Sequence, residues 1–328
     1  MEVATKHLRG TVALVTGGAG FIGSHVVDAL LAAGAKVRVL DDLSSGRREN
    51  LANCLDRIDF MEADIRAAAA CREACQGIHV VFHEAALGSV PRSMKAPATT
   101  ININVGGTAN VFEAARDAGV RRVVYASSSS VYGDSEGLPK REGEEGNPLS
   151  PYALSKVVDE QMARVFANCY RMELVGLRYF NVFGPRQDPE GPYAAVIPLF
   201  FKACLSRMAP GIYGDGEQSR DFTYIDDVVA ANLLSAVAPP EACGRAYNMA
   251  GGVRVTVNDL AAAVRNLVGG DCPPPSYLAP RPGDIPHSLA DLTQARNMLG
   301  YRPAVTVPEG LERARGYYVG LYKAGDGC

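Results

Sequence analysis

No apolar run in this chain approaches the roughly 20 residues needed to cross a bilayer. The opening Met1-Glu2-Val3-Ala4-Thr5-Lys6 also lacks the apolar core of a secretory signal. With neither feature present, the cytoplasm is the default expectation. Charge of one sign is missing too: 33 Lys and Arg stand against 36 Asp and Glu, a formal net charge of −3. That balance leaves no electrostatic footprint for nucleic acid or an anionic membrane, so an anionic ligand must be held by local positive groups. The eight cysteines, at positions 54, 71, 75, 169, 204, 243, 272 and 328, show no C-x-x-C pair, and the five histidines form no zinc-like pattern. The cysteines therefore read as reduced core residues, and no metal site is expected. No internal repeat, coiled-coil heptad or long disordered tract interrupts the chain.

What is present is 328 residues, 47% hydrophobic and 21% charged, enough for one large or two modest domains with a buried core. Residues 11–16 form a compact apolar run, 21–33 follow a helical period that Gly34 stops, and 36–40 are apolar again before Asp41-Asp42. The order strand, glycine loop, helix, strand, acid is one βαβ unit. Further candidate strands at 58–61, 79–83, 123–126 and 174–177 alternate with helical stretches at 67–75, 100–118 and 151–170. Short, nearly continuous apolar strands between helices predict a doubly wound parallel α/β Rossmann sheet covered on both faces. After Arg178 proline and glycine become more frequent. We therefore expect a nucleotide domain over 1–180 and a smaller, interleaved substrate lobe over 181–328. A helix at 226–237 and a strand at 246–249 are expected to return to the main sheet.

Gly17, Gly20 and Gly23 make a G-x-x-G-x-x-G loop between the first strand and its helix. The first glycine permits the turn, the second lets backbone approach a pyrophosphate, and the third lets the helix pack on its strand. The helix N-terminus then offers free N–H groups and partial positive charge to the phosphates. Asp41 can hydrogen-bond ribose hydroxyls and would repel a 2′-phosphate, which favours NAD over NADP. Arg47 and Arg48 close behind it pull the other way.

Ser150-Pro151 supplies an N-cap and an N1 proline for a helix whose first turns carry Tyr152 and Lys156. Residues four apart share a helix face, so the ammonium lies near the phenol and favours its ionised form. Such a tyrosine can exchange a proton with a hydroxyl while a nicotinamide handles hydride. Upstream, Ser127-Ser128-Ser129-Ser130 ends an apolar strand. Its register against Val131-Tyr132-Gly133 favours Ser128 as the hydroxyl that bonds the reacting oxygen, with Ser129 beside it.

These residues resemble the extended short-chain dehydrogenase/reductases, and within them the nucleotide-sugar 4-epimerases, over essentially the whole chain. The resemblance implies that Phe21, Ile22, Asp42, Ser45, Gly46, Asp64, Ile65, Ala85, Ala86 and Tyr179 join Gly17, Gly20, Gly23, Asp41, Tyr152 and Lys156 around NAD. It also implies a substrate set of Gly88, Ser89, Ser128, Tyr152, Asn181, Ala195, Val196, Tyr213, Arg220, Arg281, Asp284 and Ser288. In that set Asn181 and the two arginines hold a sugar diphosphate and Asp284 bonds the uridine ribose. Related dehydratases carry Asp-Glu where this chain has Ser129-Ser130, so elimination lacks its acid. The segments 85–93 and 193–198 resemble the UDP-N-acetylglucosamine 4-epimerase branch. Ser288, where glucose-restricted relatives have tyrosine, leaves room for a 2-acetamido group.

The expectation is thus a 4-epimerase for UDP-N-acetylglucosamine, with UDP-glucose as a further substrate. Two alternatives stand beside it: a UDP-glucuronate epimerase or decarboxylase, in which Arg92 meets the C6 carboxylate, and a non-catalytic nucleotide sensor. In relatives the helices corresponding to 100–118 and 151–170 build a four-helix dimer interface, which implies a homodimer.

Overall fold

The computed structural model describes residues 2–188, 195–269, 272–280 and 285–323. A short helix, α1 (Glu2–Leu8), precedes β1 (Val12–Thr16), α2 (Phe21–Ala32), β2 (Lys36–Asp41), β3 (Ile58–Glu62), α3 (Ala68–Ala74) and β4 (Val80–His83). Next come α4 (Val90–Lys95), α5 (Pro97–Ile101), α6 (Thr108–Asp117), β5 (Arg122–Ser128), α7 (Pro151–Tyr170), β6 (Glu173–Tyr179) and β7 (Val182–Phe183). The remainder is α8 (Val196–Leu205), β8 (Gly211–Tyr213), β9 (Ser219–Asp221), β10 (Thr223–Tyr224), α9 (Ile225–Val237), β11 (Arg245–Met249), β12 (Arg254–Thr256), α10 (Val257–Val268), β13 (Ser276–Leu278), α11 (Thr293–Leu299) and α12 (Val307–Lys323).

Seven strands form one sheet in the order β3-β2-β1-β4-β5-β6-β11, every neighbouring pair parallel. This is the doubly wound α/β sheet expected, and the strand expected at 246–249 is its edge. Successive residues serve opposite faces, the period of two that a pleated strand imposes. Val15, Phe82, Val124 and Val175 pack on the side of Val26, Leu30 and Val228, whereas Leu14, Val81, Val123 and Leu174 pack on the side of Cys71, Val111 and Phe112. Burial on both faces is why these strands read as unbroken apolar runs. The chain winds outward from β1 to β3 and then crosses back to β4, so a crevice opens between the C-terminal ends of β1 and β4. Register brings Thr16 level with His83 and Ser128 level with Tyr179 at that edge.

Two stretches depart from the sequence reading. The single helix expected over 100–118 is α5 and α6 joined by a π-turn at Asn102–Gly107. The turn packs closely on a distant residue: a Cβ on Gly107 would lie 2.4 Å from Ile65 Cδ1. The turn also directs the buried Asn104 to accept from Leu87 N at 2.8 Å and donate to Ser155 Oγ at 3.0 Å, a backbone–side-chain tie at a functional edge. The second departure is α1, whose Ala4 and Leu8 are buried against α9, although its length gives little periodic signal. By contrast α7 runs over Pro151–Tyr170 as expected, its start fixed by Ser150 Oγ accepting from Ala153 N at 3.1 Å and its end by Arg171 in the left-handed region at φ 56°.

Candidate active site

Gly17 and Gly23 have no room for side chains. A Cβ on Gly23 would sit 2.1 Å from Gly17 O, and one on Gly17, which is at φ 69°, would sit 2.7 Å from Ala85 N. Gly20 is the N-cap of α2 and provides no side-chain acceptor, and the first turn of α2 carries no acid. The helix therefore presents its free N–H groups and positive end to the crevice, the arrangement that binds phosphate. A cleft of about 450 Å³ opens there, lined by Gly17, Gly20, Phe21, Ile22, Gly23, Asp41, Asp42, Ser45, Asp64, Ile65, Ala85, Ala86, Tyr152, Lys156 and Tyr179. Gly46 packs behind this lining, where a Cβ would meet Asp41 Oδ1 at 2.8 Å.

Asp41 does more than the sequence suggested. Its two oxygens accept from Ala19 N at 2.9 Å and Leu43 N at 2.8 Å, so it also ties the glycine loop to the loop after β2. Burial raises its pKa, and those two N–H donors partly offset the rise. Arg47 and Arg48, the residues that spoke for a 2′-phosphate, are engaged: Arg47 pairs with Asp188 at 2.9 Å and Arg48 with Glu62 at 2.6 Å while lying over the Phe60 ring. The acid beside the glycine loop and the pairing of both arginines fit NAD.

At the floor of the cleft Lys156 is buried, and its ammonium donates to Ala126 O at 2.9 Å and Asp159 Oδ2 at 3.2 Å. The sequence reading aimed this ammonium at Tyr152. In the structure its hydrogen bonds run to the strand and to Asp159, and Tyr152 feels it as a nearby charge. Burial alone would lower the Lys156 pKa, but Asp159, followed by Tyr152 and Glu84, outweighs it and holds the pKa above the usual lysine value. Asp159 is pushed up to about 6, first by burial, with Lys156 opposing.

A second cavity of about 430 Å³ adjoins the cleft, lined by Ser128, Ser129, Ser130, Tyr152, Asn181, Arg220, His287 and Ser288 among others. Tyr152 lines both spaces. Ser127 is turned away and donates to Glu160 at 2.5 Å, while Ser128 Oγ accepts from Ser130 N at 3.1 Å. Ser128, Ser129 and Ser130 all line the cavity with Tyr152. A third space contains Asn181, Ala195, Val196, Tyr213 and Arg220, with the N-terminus of α8, again without a side-chain cap, on its wall. Gly88 and Ser89, expected on the substrate, line the first cleft together with Tyr152, and Ser89 caps α4 by accepting from Arg92 N. Arg281 and Asp284 lie outside the described residues, as do Tyr193 and Ala194.

Sequence reasoning missed three groups here. Glu84 accepts from Tyr179 Oη at 2.9 Å in the cleft, and its signal was an acid directly after the apolar run Val80-Val81-Phe82-His83. His287 shares a 2.9 Å hydrogen bond with Ser219 Oγ at the sugar-side cavity, and Lys140 lines the same cavity from the loop before α7. His83, by contrast, is held neutral: burial and then Lys156 push it down to about 3, and it sits between Thr16 and Thr108.

A dinucleotide cleft at the switch point, opening through a Tyr-Lys pair onto a cavity with arginine and serine, defines a nicotinamide-dependent enzyme of the short-chain dehydrogenase/reductase type. Residues 13–250 match the NAD dependent epimerase/dehydratase family, and the chain belongs to that family. It is 42% identical over 304 residues, covering 92% of this chain and 96% of the relative, to a UDP-glucose 4-epimerase of Mycolicibacterium smegmatis. A UDP-N-acetylglucosamine 4-epimerase from Methanobrevibacter ruminantium, solved with UDP-N-acetylmuramic acid, superposes with a TM-score of 0.91 at 39% identity, covering 95% of this chain and 99% of that one. A Thermus thermophilus UDP-glucose 4-epimerase solved with NAD has a TM-score of 0.85 at 35% identity, with 94% and 99% covered. NAD is thus the cofactor of the family, and Gly17, Gly20, Gly23, Asp41, Tyr152 and Lys156 are the residues that would hold it.

Proposed function

We propose that this chain is a UDP-sugar 4-epimerase that interconverts UDP-N-acetylglucosamine and UDP-N-acetylgalactosamine, and more slowly UDP-glucose and UDP-galactose, in the cytoplasm. The observation that carries the reading is the position of Tyr152 on both the dinucleotide cleft and the serine-lined cavity. When bound, the dinucleotide supplies a reversible hydride acceptor. Tyr152 takes the proton of the sugar 4-hydroxyl as the 4-keto sugar forms and returns it when the alcohol is restored on the other face. Ser128 bonds the same oxygen, with Ser129 beside it. Lys156 supports the ionised phenol by its charge and anchors the start of α7 to β5. Arg220, Asn181 and the uncapped end of α8 receive the diphosphate, the local positive field that an acidic protein requires.

The acetamido preference rests on Ser288, a small side chain beside Ser128 and Tyr152 in the cavity. A uronate needs a cation at the sugar C6, and Arg92 lines the dinucleotide side. Separate incubations with UDP-N-acetylglucosamine, UDP-glucose and UDP-glucuronate, followed by NMR, test the assignment. The N-acetylated sugar turning over fastest supports it, and turnover of the uronate alone would replace it with the uronate reading.

We further propose a homodimer through the 100–118 stretch, which α5 and α6 make up, and α7, which packs against both. Leu154 and Val165 are three turns apart on one face of α7 and are 44% and 54% exposed, a stripe that a bundle with a second copy would cover.

A further inference from the structure

Glu84 is the half-buried acid that the chemistry above leaves unused. It follows β4 at the switch point, where its backbone N donates to Thr16 O at 3.1 Å. Its carboxyl accepts from Tyr179 Oη at 2.9 Å, and the same phenol oxygen accepts from Asn232 Nδ2 at 2.9 Å. An amide nitrogen only donates, so the single proton of Tyr179 is directed to Glu84. Three elements thus fix this carboxyl as an acceptor on the wall of the cleft, beside Lys156, Tyr152 and Ala126. Among the described residues no cation is hydrogen-bonded to it: the Lys156 ammonium donates to Ala126 and Asp159. Of the other ionisable groups nearby, His83 is neutral between its two threonines and Asp159 lies under Lys156. Burial pushes Glu84 up to about 7, with Tyr179 and Lys156 opposing, as expected of a carboxyl whose site lacks a matching positive charge.

The oxidised nicotinamide ring is a cation and the reduced ring is neutral. A carboxylate in the same cleft therefore favours the oxidised form, and an ammonium disfavours it. We propose that Glu84, held by Tyr179 and Asn232, is the counter-charge that keeps the bound dinucleotide oxidised against the field of Lys156. Its use is retention of activity, since a reduced dinucleotide left behind when a 4-keto sugar escapes would strand the enzyme. Glu84 is a positioning and poising residue, distinct from the proton-transferring Tyr152. The inference rests on NAD occupying the cleft and is independent of which sugar is turned over.

The test is a redox titration of the holoenzyme as purified, poised with a viologen couple, reading the near-ultraviolet absorbance of the reduced nicotinamide. Glu84→Gln keeps an oxygen for Tyr179 and removes the charge. At equal poise it is expected to raise the ratio of reduced to oxidised dinucleotide by about tenfold, and Glu84→Leu is expected to do the same. If Glu84→Leu fails to fold or loses its dinucleotide, Glu84→Gln carries the test; if Glu84→Gln fails, Glu84→Leu is read against Tyr179→Phe, which loses the hydrogen bond and keeps the charge, and an equal rise in both overturns the proposal. A ratio indistinguishable from wild type in a variant that retains dinucleotide overturns the proposal. A rise in Glu84→Leu but not in Glu84→Gln traces to the lost Tyr179 bond and also overturns it. Because the viologen supplies the electrons, an error in the sugar assignment leaves this readout unchanged and appears in the substrate panel alone.

Discussion

Gly23→Ala probes the contact on which the nucleotide end of the site depends. The added Cβ would lie 2.1 Å from Gly17 O, with Gly17 C at 2.8 Å and Gly18 Cα at 2.9 Å. All three are backbone atoms, so no side chain can rotate away, and the loop or the first turn of α2 must move by about 1 Å. Overpacking of that kind costs about 1–3 kcal/mol, which in a chain of this size lowers Tm by roughly 2 °C per kcal/mol. The displaced loop also misaims its N–H groups, each worth about 1.5–3 kcal/mol toward a charged acceptor. Loss of one such bond lowers NAD affinity about tenfold to a hundredfold. Gly20→Ala is the control, because its Cβ would meet only Gly17 O at 3.1 Å. It should keep a near-wild-type Tm and fall mainly in dinucleotide content. The assay is thermal unfolding together with NAD released by acid from purified protein. A Gly23→Ala variant with wild-type Tm and a full complement of NAD would refute the reasoning.

Tyr152→Phe should lower turnover by at least about 10²-fold while the purified protein keeps its NAD, whereas unchanged turnover would remove Tyr152 from the proton path. Ser288→Tyr should depress kcat/KM for UDP-N-acetylglucosamine far more than for UDP-glucose, and an equal fall for both would show that Ser288 does not read the 2-substituent. Asp159 gives a pH test: the fold holds its carboxyl at about 6 against an ordinary 3.8, so the native state keeps this proton to higher pH than the unfolded chain. Its contribution to stability is therefore full below 3.8 and is lost as pH rises to about 6. Asp159→Asn should gain on wild type across that window; urea-derived stabilities that stay parallel across it would contradict this. Leu154→Glu should shift the light-scattering mass from dimer toward monomer, and a wild-type mass that is monomeric at all concentrations would refute the interface.

The parts of the fold legible in the sequence were those set by local chemistry repeated over several residues. The apolar runs of β1, β2, β4 and β5 are unbroken because both faces of the sheet are covered, and Ser150-Pro151 marks the start of α7 by capping. The site was legible where a motif demands a backbone shape, as at Gly17 and Gly23, or a helix spacing, as at Tyr152 and Lys156. What could not be read was set by distant partners. The π-turn before α6 packs on Ile65, far from Gly107 in sequence, and the hydrogen bonding of Lys156 depends on Ala126 near the end of β5. Glu84 reads as a strand-end acid until Tyr179 and Asn232, far along the chain, are seen to aim it.

The central claim is that a resident NAD and Tyr152 invert one carbon by moving its own hydrogen out and back. It is tested most directly by giving the purified protein, with no cofactor added, UDP-N-acetylglucosamine deuterated at C4 and following C4 by NMR. The account predicts UDP-N-acetylgalactosamine with the deuterium retained at C4. Product that has lost the label to solvent, or no C4 epimer from this or any other UDP-sugar, would contradict it.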